Sequence, residues 1–185
     1  MSPLKSNDEG FTGLEAAIVL IAFVVVAAVF SYVVLGAGFF TTQKAQQTVH
    51  TGVQETTTAV ELSGPVSVHT TDGTTIDQIT FYLQVAAGGA PVDMSKVTYV
   101  VSDTQGVATF DNSGVTLQWV QPTTHPSSTL NAREMVLVTV PPPASLKIGV
   151  NTQFTVEVRP ATGAALPITR TVPGSITAGN WYEVY

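Results

Sequence analysis

The sequence predicts an α+β protein: one long, hydrophobic N-terminal helix followed by an all-β head of the immunoglobulin-like sandwich kind. Two observations carry this. From Ala16 to Gln43 the chain has no charged residue, a run longer than the roughly 20 apolar residues a helix needs to cross a bilayer core. Beyond Pro65, short stretches alternate apolar with polar residues between turns rich in Gly, Pro and Asn, which is the pattern of half-buried strands. The 185 residues suffice for one head of ordinary size and the helix, and two ordered domains would be crowded.

Residues 1–10 are polar, carry Lys5, Asp8 and Glu9, and include Pro3, which disfavours a regular start. They read as a leader. From Phe11 to Phe40 almost every position is apolar, with Leu14, Ile18, Val19, Leu20, Ile21, Phe23, Val24, Val25 and Val26 in close succession. No polar face exists, so the helix must be buried on all sides, which one copy in water cannot achieve. The many β-branched residues do not make it a strand, because a lone strand in lipid leaves its backbone unpaired whereas a helix satisfies itself. After Thr42 the residues turn polar, and Ala45, Val49, Val53 and Val60 recur at helical spacing as one modest stripe. The helix is therefore predicted over 11–62, on the order of 50 residues and about 75 Å at 1.5 Å per residue. Ser63-Gly64-Pro65 would stop it.

The head is predicted over 65–185, with seven to nine short strands. Ile79, Phe81, Leu83 and Val85 alternate with Thr80, Tyr82 and Gln84, which turns one face to a core. The same alternation recurs at Val97, Tyr99, Val101; at Val115, Leu117, Trp119; at Val136, Val138, Val140; and at Phe154, Val156, Val158. Thr71-Asp72-Gly73, Gly88-Gly89, Asn112-Ser113-Gly114 and Pro173-Gly174 mark the breaks. Pro122, Pro126 and Pro141 to Pro143 fall between strands and discourage edge pairing. The aromatic end, Trp181-Tyr182-Glu183-Val184-Tyr185, is read as a last strand docked in the sandwich.

Composition removes several function classes. Charged residues are 11% of the chain and the net charge is −6, so the clustered Lys and Arg that grip nucleic acid are missing. The absence of cysteine excludes disulfides, Cys-ligated zinc and thiol chemistry. His50, His69 and His125 show no metal-ligand spacing. Asp72, Asp77, Asp103 and Asp111 do not form an EF-hand repeat and read as turn residues. Neither a Gly-x-Ser-x-Gly elbow nor a phosphate loop occurs. No catalytic residue, metal site or cofactor is predicted, and the chain is read as a non-enzyme.

The stretch from Gly10-Phe11-Thr12-Gly13-Leu14-Glu15 through Val29-Phe30 closely resembles the N-terminal signature of archaellins, the archaeal flagellin subunits, which are built like type IV pilins. That resemblance implies a leader removed between Gly10 and Phe11 by a membrane-bound prepilin-type signal peptidase. It implies a helix that resides in the cytoplasmic membrane and then forms the core of a helical cell-surface filament for swimming, with the subunit itself as principal partner. Rotation would come from a separate filament motor and base. In this chain Asp8 and Glu9 stand where family leaders often carry basic residues. Asn-x-Ser/Thr sequons, frequent in archaellins, are absent.

On this reading the assembly residues are Phe11, Leu14, Glu15, Ile18, Ile21, Phe23, Val25, Gly36 and Gly38. Ala16, Ala17, Ala22, Ala27, Ala28 and Ala37 add small positions that let helix backbones approach. Glu15 is a carboxylate at the head of the apolar run and needs a partner when buried. By analogy with pilins that partner is the α-amine freed on Phe11, although the helix dipole also favours a negative charge there. Gly36 and Gly38 mark either a bend or a site of close packing. Two rival readings share the leader and helix: an archaeal type IV adhesion pilin, and an extracellular binding module held by a membrane anchor.

Overall fold

The computed structural model of the chain describes residues 8–121 and 127–185. The expectations for residues 1–7, for Pro122 and Pro126 and for His125 lie outside them. The chain divides into two compact units, with the boundary between His50 and Thr51. The first consists of helix α1, Asp8–Thr57, as far as His50. The second holds the last turns of α1 and twelve strands.

In chain order these are β1 (Val60–Leu62), β2 (Val66–Thr70), β3 (Gln78–Val85), β4 (Val92–Asp93), β5 (Thr98–Ser102) and β6 (Val107–Phe110). They are followed by β7 (Thr116–Gln121), β8 (Thr129–Leu130), β9 (Met135–Val140), β10 (Gln153–Arg159), β11 (Leu166–Thr171) and β12 (Asn180–Val184). One sheet runs β12-β2-β3-β9-β7, with β1 added beside β3. A second runs β11-β10-β5-β6, and β4 pairs with β8 as a small third sheet. Every pairing is antiparallel. The predicted sandwich is thus present, and the three short strands β1, β4 and β8 take the count above the expected seven to nine.

Alternation explains the layers. On β3, Ile79, Phe81, Leu83 and Val85 are buried while the residues between them are half-exposed, and β9 and β10 repeat the pattern. Phe81, Leu83, Val138, Tyr99, Phe154 and Val156 from the two main sheets meet in one cluster. A one-residue slip would turn all of these outward, so the core fixes the register. The final strand docks as predicted: β12 pairs with β2 over five residues, from Asn180 opposite Thr70 to Val184 opposite Val66. Trp181 stays half-exposed and lies against His69, with ring centroids 4.9 Å apart.

The helix boundary departs from the expectation. α1 ends at Thr57 rather than Leu62, and Ser63-Gly64-Pro65 is a turn between strands instead of a helix stop. Val60, counted in the helical stripe, is buried in β1 opposite Val85. Burial in the sandwich gains more than one further helical turn in water, so tertiary packing overrides the spacing. The released end is held by backbone: the Ala90 N–H donates to the Thr57 carbonyl at 3.2 Å and the Ala86 N–H to that of Ala59 at 3.0 Å. Two glycines allow this approach. A Cβ on Gly89 would lie 2.9 Å from the Ala86 carbonyl oxygen and 3.1 Å from that of Thr57. At Gly163, where φ is +105°, it would lie 1.9 Å from the Thr58 carbonyl oxygen.

The turns are closed by aspartates. The Asp72 carboxylate accepts from the Thr74 and Thr75 amides at 2.8 and 2.9 Å, Asp103 accepts from Gln105 and Gly106, and Asp111 from Ser113 and Gly114. Hydrogen bonds from Thr74 and Thr75 hold the Asp72 carboxyl far below its ordinary range. Those from Ser95 and Lys96 bring Asp93 down to about 2, and those from Ser113 lower Asp111. Burial opposes the same effect at Asp77, where bonds from Thr71 and His69 and the attraction of His69 prevail.

Two outcomes are expected. Gly163→Ala forces a side chain into the Thr58 carbonyl at a positive φ, so it should destabilise the head by about 2 to 4 kcal/mol in denaturant titrations. Because these carboxyls have folded pKa values below their unfolded ones, their contribution is complete above the ordinary value near 3.8 and is lost as pH falls through the lowered values. The melting temperature of the head should hold from neutral pH to about 4 and drop between about 4 and 2, as thermal scans across that range will record.

Candidate functional site

The surface of α1 is the candidate site. Within the first unit, Leu14, Ile18, Ile21, Phe23 and Val25 are each between 55% and 71% exposed. They share this state with Leu20, Val29, Phe30, Val34, Leu35, Phe39 and Phe40 around the helix. Apolar side chains this open on every face are a surface awaiting neighbours. Exposed to water, the run would cost on the order of tens of kcal/mol by its apolar area.

Helix formation here needs no help from sequence-distant contacts, since α1 satisfies its own backbone and several of its threonine hydroxyls. The Thr41 hydroxyl donates to the Ala37 carbonyl at 2.8 Å, Thr42 to Gly38 at 2.9 Å and Thr48 to Lys44 at 2.9 Å. Bonded back four residues, these hydroxyls can enter an apolar setting without an unpaired donor. That device was not read from the sequence, where the threonines marked only the end of the apolar run.

Gly36 and Gly38 sit inside unbroken helix. Beyond the adjoining helix backbone, no atom of the described residues lies within 4 Å of where a Cβ on either would be. Each costs about 1 kcal/mol relative to alanine, and nothing in the chain itself calls for that cost. Continuity of the helix and the empty space together favour close approach by another helix over a bend.

Glu15 is exposed, and among the described residues it has no hydrogen-bond or ion-pair partner. It stands alone at the edge of the run. Gly10 and Phe11 lie in the first turns of α1, with their side chains outside the described part. The remaining polar groups singled out from sequence serve the head. His69 Nδ1 lies 2.7 Å from an Asp77 carboxylate oxygen, and His50 is exposed on α1.

Sequence comparison assigns the chain that carries this helix and this head to a family. The profile of the archaeal-type flagellins matches residues 10–170. The chain belongs to that family. A "Probable flagellin 1" of Archaeoglobus fulgidus is 45% identical over 188 residues, covering 92% of this chain and 93% of the relative. A "Probable flagellin 2" of the same organism is 38% identical and covers 94% of each. The subunit in the structure of the archaeal flagellum of Methanospirillum hungatei superposes with a TM-score of 0.78 at 39% identity, over 93% of this chain and 98% of that one. A crystal structure of a flagellin from Methanocaldococcus jannaschii, at 15% identity and a TM-score of 0.59, shares the fold. As an archaellin, the chain is a structural subunit of an extracellular filament used in motility.

If the two glycines admit a neighbouring helix, a leucine at either position blocks that approach without touching the chain's own fold. Gly36→Leu and Gly38→Leu archaellins should reach the membrane with intact heads, while sheared filament yield falls at least about tenfold by electron microscopy and gel densitometry.

Proposed function

We propose that α1 from Phe11 is the filament core, that it is solvated by acyl chains before assembly, and that the head over 65–185 coats it. The observation that carries this reading is the open apolar surface on every face of the helix between Leu14 and Phe40. Residues 1–10 are a leader cut between Gly10 and Phe11 by a prepilin-type signal peptidase. The family profile begins to match at Gly10, beside that bond, which supports the placement.

The physical sequence of events follows from the solvents. In lipid, gathering helices brings no hydrophobic gain, so small residues and shape must hold them. Moving the same helix from lipid into a bundle of copies exchanges one apolar environment for another, whereas release into water exposes it. Assembly is thus a sideways transfer, and dissociation to free monomers is strongly opposed. Contacts between identical copies that do not close into a ring extend as a helix of subunits. A separate motor and base supply rotation, and this chain contributes stiffness and surface with no chemistry of its own.

Glu15 loses water in the core and takes the α-amine of a cleaved Phe11 as a counter-charge. Glu15→Ala should lower filament yield at least about tenfold with the head still folded, as judged by circular dichroism of detergent-extracted subunits and by imaging of sheared surface material. N-terminal sequencing of the filament subunit should begin at Phe11. A chain that still begins at Met1 and stays as membrane monomers overturns the filament-core reading.

A further inference from the structure

The first unit carries two charged side chains in its described stretch from Gly13 to His50: Glu15 at one end of the apolar run and Lys44 at the other. Both are exposed. Among the described residues, Lys44 Nζ reaches only the Gln47 side-chain oxygen, at 3.3 Å. The two charges are opposite in sign and stand twenty-nine residues apart on one unbroken helix. At 3.6 residues and 5.4 Å per turn this is about eight full turns and about 43 Å. A whole number of turns puts them on the same face.

We infer that Lys44 of one copy pairs with Glu15 of a neighbouring copy in the filament, and that this pair sets the axial register between their helices. The inference rests on the filament-core reading above. A carboxylate withdrawn from water demands a cation nearby, and a second copy brings one at a fixed height. The α-amine of Phe11 lies near Glu15 in every arrangement, so it neutralises charge without selecting an offset. Lys44 is the group that ties charge to position.

The geometry gives the pairing a consequence along the filament. With neighbours offset by about 43 Å, the apolar run of one copy begins where that of the next ends, and a continuous apolar column is bounded at each junction by one ion pair. Since both charges share a face, each helix offers its carboxylate and its ammonium toward the same adjoining column. A slip by one turn would separate the charges by about 5 Å and leave the Lys44 ammonium unpaired in a dry setting. The uncharged run itself contains nothing else that distinguishes one turn from the next by charge.

Charge exchange tests this in the full-length chain, expressed in cells that assemble filaments. Lys44→Glu and Glu15→Lys should each lower filament yield at least about tenfold relative to the original chain. The double variant should yield more than either single variant, short of the original chain because the exchanged charge at position 15 also meets the Phe11 α-amine. Detergent-extracted subunits of each variant should keep the circular dichroism of the head and an N-terminus at Phe11, which separates an assembly fault from failed folding or cleavage. Yield unaffected by Lys44→Glu, or a double variant no better than the singles, overturns the pairing.

Because the chain has no cysteine, a second variant reads the register while both charges remain. Val19→Cys and Thr48→Cys lie one turn beyond Glu15 and Lys44 at the same spacing. Oxidised filaments of that double-cysteine chain should run as a ladder of disulfide-linked oligomers. Filaments that assemble but stay monomeric on a denaturing gel overturn the proposed offset while leaving the filament reading intact. If the original chain remains an uncut membrane monomer, the filament reading falls and the pairing with it.

Discussion

The constraint on which the rest depends is an apolar helix that its own chain cannot cover. A soluble protein buries a helix by turning one stripe inward and leaving the other to water. α1 has no stripe to choose, because the residues from Leu14 to Phe40 are open on all faces. Its environment must come from outside the chain. That requirement accounts for an uncharged run and for the hydroxyls of Thr41 and Thr42, bonded back into the helix at its end.

The head answers a different demand. It has to fold in water with few charges, so it relies on a closed hydrophobic centre drawn from both sheets and on turns capped by aspartate. Its grip on the helix end is made of backbone. Thr57 and Ala59 offer carbonyls to Ala90 and Ala86, and Gly89 and Gly163 keep side chains out of the way. Backbone contacts at that distance have little room to give, so the last turn of α1 is held to the sandwich by hydrogen bonds and close packing.

Much of this was legible in the residues, for reasons that can be stated. Period-two alternation located β3, β9 and β10 because both of their faces have distinct fates, and the uncharged run located α1 because no other backbone satisfies itself in lipid. The end of the helix was misread because Val60 fits the helical stripe as well as it fits a strand, and the choice is made by Val85, twenty-five residues away. Gly88-Gly89 was legible as a turn, but its role at the helix end was not. Gly163 carried no signal at all, since the atom that requires it, the Thr58 carbonyl oxygen, is remote in sequence. Of the candidate site, the apolar residues and Glu15 were plain, whereas the satisfaction of Thr41 and Thr42 required coordinates.

The contrast between the glycines shows how a single chain records contacts it does not contain. At Gly89 and Gly163 an added Cβ meets backbone within the same molecule, so folding alone accounts for them. At Gly36 and Gly38 it meets nothing, and a helix with alanine there would be more stable by about 1 kcal/mol at each position. A residue that costs stability where the isolated chain gains nothing is explained by a state in which something else occupies the space. In the proposed filament core, that occupant is the backbone of another copy. The same reasoning applies to a carboxylate that has no partner among the described residues and stands at the edge of an apolar run: on the proposed reading its partner belongs to the assembled state.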